Sequence, residues 1–175
     1  MNKWSSDRLL SLVAIIASLG TLFTIVYQTN LIRKEQYASV LPYLEMWNSN
    51  PGKDGESYIF LLMNNGIGPA FLKEVKIHYN DSVYTDDPAS FAHKVIKPKD
   101  ALSNFFYSNI KKGRLIPAGQ RLELIGVKND STNASILRRW FSNRNVLEVE
   151  IVYESVYGER WSSRGIATEP VLLNQ

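Results

Sequence analysis

Cationic and aromatic side chains are concentrated between residues 94 and 121 of this chain. Seven Lys and Arg residues stand there against Asp100 alone, and the aromatic run Phe105–Tyr107 lies among them. Such a mixture suits a nucleotide, because a cation binds phosphate while an aromatic ring stacks on the base. Anionic lipid headgroups would suit the same cations. The alternative is a solvated surface whose aromatic rings belong to the core, since exposed lysine is ordinary.

A second group of this kind, Arg138, Arg139 and Trp140, follows on a predicted helix, and Arg144 comes shortly after it. The two groups together predict a site for a small anionic ligand such as a nucleotide. The formal net charge of the chain is only +3 at pH 7, so its bulk electrostatics do not favour duplex nucleic acid. The candidate ligand-binding residues are Lys111, Lys112, Arg114, Tyr107, Arg138, Arg139 and Trp140.

The sequence contains few groups suited to catalysis or to metal binding. It has no cysteine, and this excludes disulfides, zinc–thiolate sites and cysteine nucleophiles. Its two histidines, His78 and His93, have no acidic residues at ligand spacing. The segment Gly66–Gly68 lacks the third glycine of a phosphate-binding loop, and Pro69 has no N–H to offer a phosphate. We therefore predict a protein that is not an enzyme, without catalytic residues, metal ligands or cofactors.

An uncharged apolar run near the N-terminus predicts a membrane span. Leu9–Tyr27 contains no charged side chain, and as a helix it would be about 28 Å long, close to the ~30 Å thickness of the hydrocarbon core. A cleaved signal peptide is the alternative. The run is longer than the roughly 7–15 residues of a typical signal core, and no small-x-small cleavage signature follows it. We therefore expect a lipid bilayer as one partner of this chain.

One face of the predicted span carries small and hydroxyl side chains. Ser11, Ala14, Ser18 and Thr21 recur at spacings of three and four, which places them in one stripe of a helix. Small residues let two helices approach closely, and hydroxyls can bond across an interface or face a pore. The stripe predicts a homo-oligomer, although small residues are common in any span.

The side of the membrane that the rest of the chain occupies is left open. Lys3 and Arg8 before the span balance Arg33 and Lys34 after it, so neither flank has the excess of cations that marks a cytoplasmic side. The N-terminal amine tilts the balance slightly toward an external domain. The sequence thus predicts a single-pass protein without fixing its orientation.

The chain divides into three parts. Residues 1–30 form the predicted anchor, and residues 31–41 form a helical stalk that lacks Gly and Pro until Pro42 stops it. Residues 42–175 form one β domain, in which apolar and polar residues alternate with the period of a strand. The predicted strands are Tyr43–Trp47, Tyr58–Met63, Glu74–Tyr79, Ser82–Tyr84, Arg121–Val127, Val146–Glu154 and Arg160–Thr168.

A single short helix is predicted within this domain. The segment Asn133–Phe141 has apolar residues on one face, and Ser131 or Thr132 is the predicted N-cap. The segment from Pro88 to Pro117 has no clear periodicity and is predicted to be a long loop. The fold class is therefore all-β: one N-terminal transmembrane helix, then an antiparallel β-sandwich or small barrel with one short helix.

Three turn motifs of the β domain resemble a known group of domains. They are N-x-G-x-G-P-A within Tyr58–Asn80, P-A-G within Ile116–Val127, and Y-x-x-x-Y-G within Leu147–Trp161. The pattern resembles Ig-like β-sandwich domains of small bacterial membrane proteins. Its glycines suit turns: we expect a positive-φ turn at Asn65 and Gly66, and a second permissive position at Gly119.

The architecture is also similar to membrane effectors of bacterial anti-phage systems, in which a β-barrel senses a cyclic oligonucleotide. The resemblance implies that ligand binding assembles the transmembrane helices and perturbs the bacterial inner membrane. Those effectors commonly carry two helices, whereas this chain has one predicted span, and no ligand-binding motif matches residue by residue. The alternative function is a non-catalytic, membrane-anchored scaffold or accessory subunit that binds another protein through its Ig-like domain.

Overall fold

The computed structural model describes residues 6–51, 55–143 and 145–173. Lys3 and Arg144, which enter the sequence argument, lie outside these ranges. The chain divides into two compact units, Met1–Ser39 and Val40–Gln175. Each unit is described by itself below.

In the first unit the structure describes one long helix, α1 (Ser6–Ala38). The helix is long enough and apolar enough to cross a bilayer, as the sequence predicts. It continues without a break through the polar residues after Tyr27 and ends before Pro42, whose ring cannot be accommodated in a helix interior.

The second unit is mostly β-structure, as predicted. Its strands pair antiparallel throughout the named ladders. In the described residues they are β1 (Leu44–Ser49), β2 (Tyr58–Asn64), β3 (Ala70–Tyr79), β4 (Ser82–Tyr84), β5 (Phe106–Tyr107), β6 (Leu115–Ile116), β7 (Arg121–Val127), β8 (Glu148–Glu154), β9 (Arg160–Arg164) and β10 (Val171–Leu173).

The strands form two sheets. The first has the order β1-β2-β7-β5, and the second has the order β10-β9-β8-β3-β4 with β6 paired to the start of β3. A parallel bridge between Met46 and Ile166 joins the edge of the first sheet to the segment after β9. One apolar core draws on both sheets and includes Phe60 and Leu62 of β2 with Leu72 and Ile77 of β3.

The alternation of residue types along β8 explains how its faces are divided. Val149, Ile151 and Tyr153 are buried, whereas Glu148 and Glu150 between them are partly exposed. Because successive side chains of a strand point to opposite faces, the apolar set enters the core and the acidic set remains near water. The predicted core face of this strand is confirmed.

The segment predicted to be a long loop after Pro88 begins with a helical stretch. It consists of α2 (Pro88–Phe91), a π-helical turn (Ala92–Ile96) and α3 (Lys97–Asp100). Asp87 caps α2 by accepting a hydrogen bond from the Ser90 N–H. Phe91 and Ile96 are buried in the core, so the prediction of a loop is wrong for these residues, which tertiary packing holds in a helical stretch.

The predicted short helix is present as α4 (Ser131–Phe141). The prediction that Ser131 or Thr132 caps it is wrong, because Asp130 is the N-cap and its carboxylate accepts from the Asn133 N–H. Aspartate is as good an N-cap as serine. The hydrogen bond from the Asn133 side-chain amide, and then that from its main-chain N–H, lower the pKa of Asp130.

Candidate functional site

A cavity of about 560 Å³ opens at the edge of β3, between β4 and β6. We call it the β3 groove. Its floor includes the half-buried Val75 and the buried Ile110. The remaining residues that line it are Lys73, Glu74, Thr85, Asp86, Asp87, Ser90, Lys111 and Lys112.

The groove exists because the neighbours of β3 cover only its two ends. β6 pairs with Ala70 and Phe71, and β4 pairs with Ile77–Tyr79. The two residues that flank a two-residue hairpin loop exchange main-chain hydrogen bonds. In a strand, the main-chain N–H and C=O of every second residue face the same edge. Counting back from Tyr79 at the β3–β4 hairpin, the main-chain N–H and C=O of Val75 face the uncovered part of this edge.

The loop that carries Lys111 and Lys112 is fixed to β3 by main-chain bonds. Gly113 donates to the Leu72 carbonyl at 2.8 Å, and Leu72 donates to the Arg114 carbonyl at 2.9 Å. The Arg114 guanidinium donates to the Asn109 carbonyl and so closes the loop. Arg114 therefore positions the two lysines, and it is not among the residues that line the groove.

The acidic residues of the groove already have partners. Asp86 forms an ion pair with Lys94 at 2.7 Å, and Asp87 is engaged as the cap of α2. Glu74 is held by Lys76 at 2.5 Å. The hydrogen bond from Lys76, with a smaller contribution from the charge of Lys112, lowers the pKa of Glu74.

Among the cations of the groove, one has an acidic partner and two do not. Lys73 is paired with Glu154 at 2.8 Å, whereas Lys111 and Lys112 are exposed and form no ion pair with any residue that the structure describes. The charge available to a ligand is therefore positive. Two free ammonium groups next to a strand edge can bind phosphate or carboxylate oxygens by charge-assisted hydrogen bonds.

No family model, no curated protein and no solved structure matches this chain.

The second group of candidate residues, on α4, lies apart from the β3 groove. Arg138 donates to the carbonyls of Gly55 and Ser57, both at distances of 3.2–3.3 Å, and so holds the segment before β2. Arg139 forms an ion pair with Asp100 at 2.7 Å. These contacts give both arginines a role in connecting α4 to other segments.

Trp140 is only 5% exposed. Its indole N–H donates to an Asp100 carboxylate oxygen at 2.5 Å, and its ring packs against Tyr79 and Phe91. The hydrogen bonds from Trp140 and then Arg139 lower the pKa of Asp100. A ring packed in this way is not free to stack on a base.

Tyr107 lies on β5, in the sheet that does not contain β3. It is 47% exposed, and its ring contacts those of Phe105 and His93. The structure therefore places Lys111 and Lys112 at one cavity, with Arg114 behind them, and places Tyr107 and the α4 residues elsewhere.

The hydroxyls of the α1 stripe bond within their own helix. Ser11 donates to the Asp7 carbonyl, Ser18 to that of Ala14, and Thr21 to that of Ala17, all at 2.8–2.9 Å. Back-bonding of this kind satisfies a hydroxyl in an apolar environment without a second helix. The small side chains of the stripe are exposed along one face, where close approach of another helix is sterically open.

A buried asparagine connects the segment by which the chain enters the β unit to the β2–β3 turn and to β6. Asn64, 1% exposed, accepts from the N–H groups of Tyr43 and Gly66, both at 3.1 Å. Its amide donates to the carbonyls of Gly68 at 2.8 Å and Ile116 at 3.1 Å. We call Val40–Tyr43 the entry segment, and the Asn64 network fixes its end to the β2–β3 turn.

The glycines of this turn are required by close approach. A Cβ at Gly68 would collide with the carbonyl of Val40, and a Cβ at Gly66 would collide with that of Leu41. The prediction of a positive-φ turn at Asn65 and Gly66 is wrong, because neither residue has a positive φ. Gly119 has a φ of 72°, as expected for its turn.

The outer face of the second sheet carries a Glu–His–Ser contact. Glu150 accepts from Ser162 at 3.0 Å and lies 2.7 Å from His78 Nε2. Partial burial opposes its ionisation, but the hydrogen bonds from His78 and Ser162 together lower the pKa of Glu150. Because the carboxylate lies between the hydroxyl and the imidazole, the histidine cannot take the serine proton directly as a general base.

Proposed function

We propose that this protein is a non-catalytic sensor, anchored in the bacterial inner membrane by α1, whose β domain binds a small anionic ligand in the β3 groove. The observation that carries the proposal is the pair of exposed cations, Lys111 and Lys112, at a cavity whose acidic residues are already paired. A cyclic nucleotide is the ligand that the resemblance to anti-phage effectors favours. We infer an Ig-like β-sandwich as the scaffold of this site.

The response to the ligand is proposed to be oligomerisation of α1, which perturbs the membrane. The groove and the entry segment are connected through the β2–β3 turn and β3. Before the turn, Asn64 at the end of β2 holds the entry segment. After the turn, Leu72 in β3 holds the loop that carries Lys111 and Lys112. A ligand can shift an assembly equilibrium only by binding the assembled state more tightly. The exposed stripe of small residues on α1 is the proposed contact surface.

The test uses the full chain in nanodiscs. A Thr85→Cys variant carries an environment-sensitive dye on the wall of the groove, and this is the only thiol because the natural chain has no cysteine. Pyrophosphate and a cyclic dinucleotide are the probes. We expect saturable binding that weakens at least about tenfold, or ~1.4 kcal/mol, on reversing both groove lysines to glutamate.

The matched control reverses two exposed lysines outside the groove, Lys97 and Lys128, and so changes the net charge by the same amount. The control should bind the probes as the natural chain does. Equal loss in both double variants would show that the protein attracts anions through its overall charge and would contradict a site at the groove.

A scaffold function is the second candidate, and the uncovered edge at Val75 favours it. An extended segment of another protein can add a strand to such an edge through main-chain hydrogen bonds. Val75→Pro removes the N–H of that edge. The Val75→Pro variant must keep the β-sheet circular dichroism of the natural chain. If that variant loses a partner protein that the Lys111→Glu/Lys112→Glu variant still binds, the scaffold is the better account.

A further inference from the structure

One end of the β unit carries a group of exposed apolar side chains from separate segments. Ile67, in the β2–β3 turn, is 67% exposed, and Val156 and Tyr157, in the β8–β9 turn, are 47% and 42% exposed. Phe71 and Leu115 are 36% and 45% exposed, and they are cross-strand neighbours between β3 and β6. No core requirement explains five such residues at solvent-accessible positions.

The topology brings these segments together. Phe71, near the start of β3, pairs with Glu154 at the end of β8, so the turn after β8 lies beside the beginning of β3. The β2–β3 turn immediately precedes that beginning. Both turns therefore lie at the same end of the β unit.

The entry segment joins the β unit at this same end. The N–H groups of Ile67 and Gly68 donate to the Leu41 carbonyl at 3.1 and 3.3 Å. We call this the entry end; it comprises the entry segment and the turns at 65–69 and 155–158. The opposite end, at the β3–β4 turn, presents the polar residues Asn80 and Asp81, and Val83, which follows the turn, is 56% exposed.

The chain between the proposed span and the entry end limits how far this end can lie from the bilayer. Tyr27 is the last residue of the apolar run, and Val40 is the first residue of the entry segment. With α1 helical to Ala38, this stretch reaches about 23 Å at most, and less far from the bilayer where the helix tilts. The headgroup region on each side of the hydrocarbon core is itself roughly 5–7 Å thick.

We propose that the entry end of the β unit contacts the lipid–water interface, with Ile67, Val156 and Tyr157 among the headgroups. Tyrosine is enriched at this depth because its ring is apolar and its hydroxyl remains hydrated. The continuity of the entry end with the anchor selects lipid over a soluble partner. The proposal rests on the anchoring of α1 and is independent of the anionic ligand.

The cysteine-free sequence allows a direct test. Single-cysteine variants of the full chain, Ile67→Cys, Tyr157→Cys and Asp81→Cys, are labelled with one fluorophore and placed in nanodiscs of phosphatidylcholine and phosphatidylglycerol. A fourth variant, Ile16→Cys, reports on α1. Nitroxide lipids then measure proximity to the bilayer, and iodide measures exposure to water.

We expect nitroxide lipids to quench the labels at positions 67 and 157 several-fold more than the label at 81, with iodide giving the reverse order. Quenching at position 16 with no difference among the other three would overturn this inference and leave the anchor intact. An unquenched label at position 16 would overturn both.

The labels also separate lipid from a second copy of the chain as the occupant. If copies contact each other at this end, the label at position 67 is shielded from iodide without being quenched by nitroxide lipid, and shielding weakens as the chain is diluted into excess lipid. That result would contradict the proposal. Ile67→Asp and Tyr157→Asp together should remove lipid quenching at Val156→Cys, because a carboxylate does not enter the interface readily.

Discussion

Asn64→Ala should be among the most destabilising substitutions in the β unit, although it removes only a small polar side chain. The Asn64 side chain is 1% exposed. It accepts two hydrogen bonds, from the N–H groups of Tyr43 and Gly66, and it donates to carbonyls of three residues. The three are Gly68, Ile116 and Pro117.

The magnitude follows from the groups that alanine would leave unpaired. Each buried polar group without a partner costs about 1–3 kcal/mol. The Tyr43 and Gly66 N–H groups and the Gly68 carbonyl are bonded to Asn64 in or near the protein interior. Allowing for water at the partly buried positions, we expect a loss of about 3–4 kcal/mol in the free energy of unfolding.

The assay is urea unfolding of the full chain in detergent, followed by tryptophan fluorescence. Asn65→Ala is the matched control, because the adjacent asparagine is exposed and donates to the Glu45 carboxylate at 2.9 Å on the surface. It should cost less than about 0.5 kcal/mol. If the two substitutions cost the same, the Asn64 network does not hold the entry segment as we argue.

Two further predictions concern α1 and acid stability. Replacing Ala14 and Ser18 by leucine should abolish cross-linked oligomers of the full chain in membranes, because larger side chains block the close approach of two helices. Leucine at Ile15 and Ile16 should leave the oligomers intact. Oligomers that neither pair of substitutions affects would show that the stripe is not the contact surface. The free energy of unfolding should decline as the pH falls below 4.5, the ordinary pKa of a glutamate carboxyl, because the pKa of Glu150 is lowered in the folded state. The stabilisation from Glu150 is complete above the pKa of the unfolded state and is lost as the pH falls through the pKa of the folded state. Urea unfolding across that range should give a flatter profile for Glu150→Gln, and an identical profile would show that this carboxylate contributes nothing.

The parts of the fold that follow from the sequence are those with a strong repeat. The alternation in Glu74–Tyr79 and Val146–Glu154 predicts β3 and β8, which cover Ala70–Tyr79 and Glu148–Glu154. β4 and β7 have the predicted bounds, Ser82–Tyr84 and Arg121–Val127. β5 and β6 each contain two residues, too few for any period. The helical stretch from Pro88 buries Phe91, Ala92 and Ile96 and packs Val95 against the core. This spacing is helical, but Pro98 within the segment is a residue type that argues against a helix.

The candidate site is divided in the same way. The local run of cations and aromatic residues indicates Lys111 and Lys112, and both line the β3 groove. Lys73 lies there because the ladder between β3 and β8 shifts register after Leu72, and no local pattern marks such a bulge. Trp140 lies on the buried face of α4. The helical spacing of the apolar residues predicts this burial, whereas the neighbouring arginines suggest a ligand-binding residue.

The most direct measurement of the central claim locates a bound anion at individual lysines. Reductive methylation with ¹³C keeps the charge of each lysine, and NMR of the methylated full chain in micelles resolves the side chains, with lysine-to-arginine variants giving the assignments. On titration with pyrophosphate we predict saturable shifts of the Lys111 and Lys112 resonances, while those of Lys97 and Lys128 stay in place. Shifts of similar size at all four lysines, or none at the first two, would contradict an anion site in the β3 groove.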